Sequence, residues 1–386
     1  MRIFLLISLL FSCMFKSTKI DALEEENTIN LALEAEAAIL IEESSGEILY
    51  TKNEHAKLYP ASMTKMMGML LIMEDVYNNK HTMDEIVTTS PIAASMGGSQ
   101  IFLEVGEQMS VDDMFKAVCI NSANDAITAL AEHFGGSLEN FIDRMNKKAR
   151  SLGMSNTSFK NVTGFYDPDH YTTAYDMSLL AKELLNNYKD TILKYTSMYE
   201  AYIREDTESP FWLVTTNKLV KYYDGMDGLK TGYIKESKYC LTATALRNGV
   251  RLISVVMKSE SVEKRSKDTT TLMNYGFSNY KSIDFFKKGE EVTTHTFKNA
   301  KTKNSIIVTN RDISIVTKKN VTANDFSISY RCLKHSAPIK ANEKVGELII
   351  ETKDGKKYTY DLISLNNVND KSFVYKLLEI WKDLLS

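Results

Sequence analysis

The chain has 386 residues, a formal net charge of −3, 44% hydrophobic and 25% charged residues, and only 5 prolines. It is longer than one compact domain of usual size and apolar enough for a large core, so two domains are expected and extended disorder is not. No basic field is present, which disfavours nucleic acid as a partner.

The chain opens on MRIFLLISLLFSCMFKSTKIDAL, in which Arg2 precedes an apolar run from Ile3 to Phe15 and Lys16 closes it. The run is too short to span a bilayer, which takes roughly 20 residues. It fits the apolar core of a secretory signal peptide over residues 1–22, and the mature chain is then expected outside the cytoplasm. "LFSC" around Cys13 resembles a lipoprotein box only faintly. An acidic stretch from Leu23 to Glu36 has helical character. "AAILIEESSGEILYTKN" reads as a hairpin about Ser45–Gly46. Pro60 introduces a helix carrying Ser62, Met66, Met69, Leu70 and Met73. From Ser110 to Tyr188 three- and four-residue apolar spacing predicts helices over "SVDDMFKAVCINSANDAITALAEHF", "SLENFIDRMNKKARSLG" and "TAYDMSLLAKELLNN". Ser110 and Asp113 form a capping-box-like start. Two strands joined at Arg247–Gly249 follow, then a helix in "KRSKDTTTLMNYGF". Near Ser282 the pattern changes to short alternating runs split by Asn, Gly and Lys turns, which predicts an all-β domain over 282–367. The tail, 368–386, lines up Phe373, Val374, Leu377, Leu378, Trp381, Leu384 and Leu385 on one helical face. That face either packs on the β-domain or lies in a membrane surface as an amphipathic anchor.

Beyond the leader, Cys119, Cys240 and Cys332 are an odd number with no C-x-x-C spacing. Neither a disulfide framework nor a zinc site is supported, and buried free thiols are expected. The 6 histidines (His55, His81, His133, His170, His295 and His335) show no H-E-x-x-H or other paired ligand spacing. No metal and no cofactor is expected. His170, in "PDHYTTAYD", reads as a structural loop residue rather than a catalyst.

Ser62-x-x-Lys65 puts a hydroxyl and an amine on one helical face. A serine becomes a nucleophile when a base takes its proton, and a lysine is that base only when neutral, which burial near other cations arranges. The N–H groups at the helix start stand ready to stabilise an oxyanion at Ser62. S-x-x-K alone says little, since Ser261 and Ser278 also begin such triplets, and Ser122-x-Asn124 is duplicated in form by Ser364-x-Asn366. Lys230-Thr231-Gly232 occurs once. The ordered set S-x-x-K, S-x-N, K-T-G in a secreted chain is the pattern of penicillin-binding proteins and class A β-lactamases.

With "YPASMTKMM", "SMGGSQIFLEVGEQMSVDDMFKAVCINSANDA", "NVTGFYDPDHYTTAYDM", "TNKLV", "DGLKTGY" and "RLISVVM", residues Ala35 to Tyr280 closely resemble low-molecular-mass penicillin-binding proteins of the D-alanyl-D-alanine carboxypeptidase type, serine peptidase family S11. The β-domain and tail resemble that architecture more loosely. The resemblance implies an α+β fold. Its β-lactamase/transpeptidase-like domain, over 23–281, has an antiparallel sheet with helices and a helical lobe, followed by the small all-β domain and the amphipathic helix. It implies removal of the terminal D-alanine from peptidoglycan stem pentapeptides through a Ser62 acyl-enzyme, at the outer face of a bacterial membrane, with β-lactams as covalent inhibitors. Lys65 would be the general base, Ser122 a proton relay, and Asn124 the holder of the substrate amide. Lys230, Thr231 and Arg265 would bind the terminal carboxylate, and Gly232 would let the substrate backbone lie close. The backbone N–H groups of Ser62 and Tyr233 would form the oxyanion hole. After K-T-G the chain departs from the family pattern, reading Ile234-Lys235-Glu236-Ser237-Lys238, which bears on strand geometry and substrate preference. Two rivals stand beside this reading. A class A-like β-lactamase needs a deacylating glutamate, for which Glu183 is the nearest look-alike at the wrong spacing. A non-catalytic binder of wall precursors would keep the fold without the reaction.

Overall fold

The computed structural model describes residues 31, 34–302, 304–371 and 381. The leader expected over 1–22 and most of the tail helix expected over 368–386 lie outside the described residues. Among the described residues no helix is long and apolar enough to cross a membrane.

A five-stranded antiparallel sheet has the order Ile48–Lys52, Ala37–Glu42, Val250–Ser259, Lys238–Arg247, Met226–Ile234. The hairpin forms because the buried Glu42 carboxylate accepts the backbone N–H groups of Ser44 and Ser45 at 2.9 and 2.7 Å, together with both serine hydroxyls. Gly46 takes the left-handed φ of 76° that the turn needs. Ile39, Ile41, Ile253, Val255 and Met257 share one core with the helical lobe, while Leu40 and Leu252 lie against Gly276 of the helix Val262–Asn279 on the opposite face. Both faces are therefore covered, and every residue of Ala37–Glu42 is buried.

The helical lobe comprises Val111–Ile120, Asn124–Gly135, Leu138–Ser151 and Ala174–Thr196, with the helix Lys65–Tyr77 buried among them. That helix is apolar nearly all round, as a helix enclosed on every side must be. Two expectations are corrected here. The helix expected to run through Ser122 stops at Ile120 and restarts at Asn124, because Ser122 takes a left-handed φ of 65°. The acidic stretch is not helical where described. The N–H of Ala35 donates to Asp268 at 2.8 Å and that of Glu36 to the Met257 carbonyl at 3.1 Å, which extends the chain into the sheet.

Beyond Asn279 the chain forms a second sheet in the order Glu291–His295, Ser305–Thr309, Lys357–Ser364, Lys344–Thr352, Phe326–Cys332, with Tyr280–Phe286 paired to Ile313–Lys318. Phe297, Ile307, Ile313, Ile339, Leu348, Ile350 and Leu362 fill its core. Val368, expected to begin the tail helix, belongs to this core instead, bridging Ile339 with its N–H on the Ile339 carbonyl at 2.8 Å.

Candidate active site

Ala61–Thr64 forms a tight 3₁₀ turn that passes directly into the helix Lys65–Tyr77. Ala61 carries a φ of 47°, rarely adopted outside glycine, and this sets the entry of the chain into Ser62. Gly164 makes room for that bend, since a Cβ on it would lie 1.8 Å from the Ala61 carbonyl oxygen.

Ser62 is half-buried at the turn, and Lys65 is fully enclosed. Their Oγ and Nζ hydrogen-bond at 2.9 Å, while Nζ also donates to the Thr163 carbonyl at 2.9 Å. Burial above all, reinforced by the nearby Lys230 charge and opposed by Asp125, holds the Lys65 amine well below the ordinary lysine range. Asp125 itself is committed to the wall, accepting the N–H groups of Ile101 at 3.0 Å and Leu103 at 3.1 Å.

The break between the helices Val111–Ile120 and Asn124–Gly135 presents the second motif. Ser122 is 3% exposed and its Oγ has no partner among the described residues. Asn124 donates its Nδ2 to the Gly97 carbonyl at 2.7 Å and receives at its backbone no freedom either, its N–H bonding the Ser99 carbonyl at 2.7 Å. Its Oδ1 is buried and unpartnered, leaving one acceptor of fixed direction.

The third motif lies on the edge strand Met226–Ile234, where Lys230, Thr231 and Gly232 face Thr242, Leu241 and Cys240 in regular register. A Cβ on Gly232 would lie 2.6 Å from the Pro60 carbonyl oxygen, so only glycine lets the strand run this close to the Ser62 turn. Lys230 is 1% exposed, and burial foremost, with the Arg265 charge adding, pushes it down to about 7. Burial likewise lowers Arg265, whose Nε has no partner among the described residues. The Cys119 thiol nearby is pushed up by burial and is neutral, so it does not balance these cations. Thr231 Oγ1 is held by Thr216 Oγ1 at 2.6 Å.

The unusual residues after K-T-G are absorbed in the following turn. The Ile234 N–H donates to Ser237 Oγ at 3.0 Å, and Lys238 pairs with Glu260. The K-T-G register is undisturbed. Glu183 is tied to Lys148 at 3.3 Å, so it is engaged in an ion pair of the helical lobe. His170 is a buried pin. The Lys160 N–H donates to its Nδ1 at 3.1 Å, which assigns the proton to Nε2 for donation to Thr64 Oγ1 at 2.8 Å. Burial pushes it down to about 4, so it stays neutral and braces the Ser62 turn.

Several supporting residues were not singled out by spacing. Thr163 supplies the carbonyl on Lys65, and Asn161 holds that loop by accepting the Gly164 N–H at 2.7 Å. Thr216 and Asn217 dock the K-T-G strand, Asn217 Nδ2 donating to the Gly228 carbonyl at 3.1 Å. Both pairs sit within stretches that carry the family resemblance, "NVTGFY" and "TNKLV". Their roles are contacts to loop and strand backbone and, for Thr216, to the Thr231 hydroxyl, which no motif spacing announces.

Residues 23–261 match the family model described as D-alanyl-D-alanine carboxypeptidase, and residues 280–370 that described as penicillin-binding protein 5, C-terminal domain. The chain is 46% identical over 331 residues to the D-alanyl-D-alanine carboxypeptidase DacF of Bacillus subtilis, covering 86% of this chain and 84% of that one. Among solved structures it is similar to penicillin-binding protein 5 of Haemophilus influenzae, with TM-score 0.70 and 27% identity over 88% of this chain and 98% of that one. It is also similar to penicillin-binding protein D2 of Listeria monocytogenes in the ampicillin-bound form, with TM-score 0.58 and 34% identity over 64% of this chain and 99% of that one.

Proposed function

Because the chain belongs to the D-alanyl-D-alanine carboxypeptidase family of serine peptidases, we propose that Ser62 is the residue its substrate acylates and that Lys65 is the base that activates it. The protein is a serine-type D-alanyl-D-alanine carboxypeptidase acting on peptidoglycan stem peptides. The observation that carries the assignment of roles is the 2.9 Å contact between Ser62 Oγ and a lysine amine that is fully enclosed and beside a second buried cation.

With the amine neutral, the Ser62 hydroxyl donates to Nζ and loses its proton as Oγ bonds the carbonyl carbon of the penultimate D-alanine. The backbone N–H groups of Ser62 and Tyr233 receive the oxyanion, the close approach of strand and turn at Gly232 bringing the two near each other. Lys65 returns the proton through Ser122 to the departing amine, the C–N bond breaks, and D-alanine leaves. Water then attacks the ester as Lys65 takes its proton, the carbonyl–Oγ bond breaks, and Lys65 returns that proton to the leaving Ser62 Oγ. Asn124 Oδ1, its Nδ2 already engaged, accepts an N–H of the substrate amide. Lys230, Thr231 and Arg265 receive the terminal carboxylate, two unbalanced cations and a hydroxyl meeting one anion. This clamp selects a free C-terminus and so a carboxypeptidase over an endopeptidase. The Glu183–Lys148 pair argues against a class A β-lactamase, which needs a free carboxylate for its deacylating water.

β-Lactams acylate the same serine in this reading, in line with the ampicillin-bound relative. The substrate lies outside the cytoplasmic membrane, and the signal-like leader agrees with export. We further infer that the tail holds the enzyme at the membrane surface through its apolar face, including the exposed Trp381.

The test is intact mass after exposure to benzylpenicillin, with D-alanine release from a stem pentapeptide measured in parallel. A lasting adduct and D-alanine release are expected for the parent chain, with both lost in Ser62→Ala. An adduct persisting in Ser62→Ala would place the nucleophile elsewhere. Penicillin consumed without an adduct would restore the lactamase.

A further inference from the structure

The three side chains that sequence spacing left unconnected, His295, Cys332 and His335, come together at one end of the second sheet. Their ligand atoms all lie within 4.8 Å of one another. His295 closes the strand Glu291–His295, Cys332 closes Phe326–Cys332, and the C-x-x-H run places His335 one turn beyond. His295 and Cys332 are 37 positions apart, which is why counting between cysteines and histidines did not find the group.

Cys332 Sγ and His295 Nε2 are separated by 3.5 Å. Zinc holds sulfur at about 2.3 Å and imidazole nitrogen at about 2.0–2.1 Å, and a tetrahedral angle between them sets S and N about 3.5 Å apart. The pair already stands at the edge length of a zinc tetrahedron. The frame is also fixed. The N–H groups of Leu333 and Lys334 both bond the Val345 carbonyl, at 2.9 and 3.2 Å, and the Lys298 N–H bonds the His335 carbonyl at 2.8 Å. The His295 ring packs edge-on to the buried Phe297, with centroids 4.7 Å apart, so its orientation is set by the core.

A second group, His81, Glu85 and His133, has a different character. Both imidazoles bond one oxygen, Glu85 Oε2, at 2.8 and 2.9 Å, and Oε1 takes the Thr82 N–H at 3.0 Å. That carboxylate is saturated, and the group is complete as an ion-paired triad. Cys332 has no comparable anion or cation to satisfy it. Its thiol donates only to the Lys334 and Val345 carbonyls and touches His295.

We propose that His295, Cys332 and His335 bind one zinc ion, with water in the fourth position, tying the end of the strand Phe326–Cys332 to that of Glu291–His295. Binding forms the Zn–S bond and releases the Cys332 thiol proton to solvent. The donor set, one thiolate and two imidazoles, suits zinc and excludes calcium or magnesium, which require oxygen ligands.

The experiment uses the full chain, purified under reducing conditions, stripped with chelator and titrated with Co²⁺, then with Zn²⁺ as competitor. A near-ultraviolet thiolate-to-cobalt charge-transfer band is expected, saturating at one equivalent and erased by Zn²⁺. With the Cys13→Ser substitution in every sample, and the buried Cys119 and Cys240 having no grouped ligands among the described residues, the band reports Cys332. Cys332→Ser should lose it, and His295→Ala should weaken cobalt binding on the order of 100-fold. Hydrogen-exchange protection of the amides in Lys344–Thr352 matching the parent verifies that the second sheet of each variant is folded; should Cys332→Ser fail that control, His335→Ala, at an exposed position, takes its place. Absence of the band from the fully reduced parent, or its survival in folded Cys332→Ser or at unchanged affinity in folded His335→Ala, would overturn the proposal.

Discussion

The helix that carries Lys65 buries Met66, Met67, Met69, Leu70, Ile72 and Met73 almost completely, whereas the strand Phe326–Cys332 leaves Ile328 and Tyr330 each 50% exposed. The two regions solve different problems. A lysine is kept neutral, and so able to take a proton, by surroundings that cannot rearrange to solvate its charge, so its helix is sealed between layers. The second sheet buries one face and wets the other, which is enough for a stable module and leaves its edges open to whatever it contacts. The difference predicts that substitutions in the sealed region change chemistry, and those in the open one change stability or binding without touching acylation.

The largest effect belongs to Lys65→Met, which keeps the shape of a buried chain and removes the base. The second-order rate constant for benzylpenicillin acylation should fall on the order of 10³–10⁴-fold, by stopped-flow or intact mass against time, with the thermal midpoint held or raised. Relief of a buried amine works in favour of the fold here. A loss below tenfold would show that another group takes the Ser62 proton, and the contrast between the two regions would lose its chemical basis.

A smaller effect, but one with a sign, comes from pH. In the proposed mechanism Lys65 acts when neutral, so acylation should rise with pH through its lowered value. In the same mechanism Lys230 holds the substrate carboxylate when charged, so kcat/KM for a stem peptide should decline again as pH passes about 7 and above. In Lys230→Ala the neighbouring cation is gone. The Lys65 value must rise, moving the acidic limb of acylation to higher pH, and the alkaline limb of the peptide reaction should vanish. At neutral pH the loss in kcat/KM for a peptide with a free carboxylate should be about 10²-fold, and slight for the same peptide as its C-terminal amide. An acidic limb that stays in place would mean the two lysines do not sense each other.

What could be read from the sequence divides along the same line. Ser62 and Lys65 are neighbours because residues three apart share a helical face, so their contact follows from spacing alone. Lys230-Thr231-Gly232 needed the other motifs beside it to stand out, and the reason for the glycine, the approach of the Pro60 carbonyl, exists only once strand and turn are packed. The helix expected through Ser122 failed because periodicity registers apolar positions and not a single left-handed residue between two helices. Asn124 was named from its triplet, but the fact that its Nδ2 is spent on Gly97, which fixes the role of Oδ1, depends on a loop distant in sequence. Of the cluster of His295, Cys332 and His335, spacing shows only the C-x-x-H pair, which alone announces no site; His295, 37 positions away, was invisible for the same reason. Its partners meet through strand order, and strand order in a β-domain is not written in local spacing.

The smallest expected effect on the chemistry comes from Leu348→Ala, in the centre of the second core. Leu348 is fully buried among Ile307, Ile350 and Leu362, so the truncation leaves a cavity and should cost about 2–5 kcal/mol of local stability. Hydrogen exchange of amides in Lys344–Thr352 measures that loss region by region, which a single melting curve of a two-domain chain does not. Benzylpenicillin acylation should nonetheless stay within about twofold. An ion pair from this strand's hairpin to the first sheet, Lys356 to Glu47 at 2.5 Å, joins two half-exposed side chains and is worth at most about 1 kcal/mol. So weak a link cannot carry strain from the second core to the Lys65 pocket. A proportional fall in acylation would reveal a tighter coupling through the segment Tyr280–Phe286, where the helix Val262–Asn279 bearing Arg265 runs directly into the second region. In that case the contrast between a sealed site and an independent module would give way to a single cooperative unit.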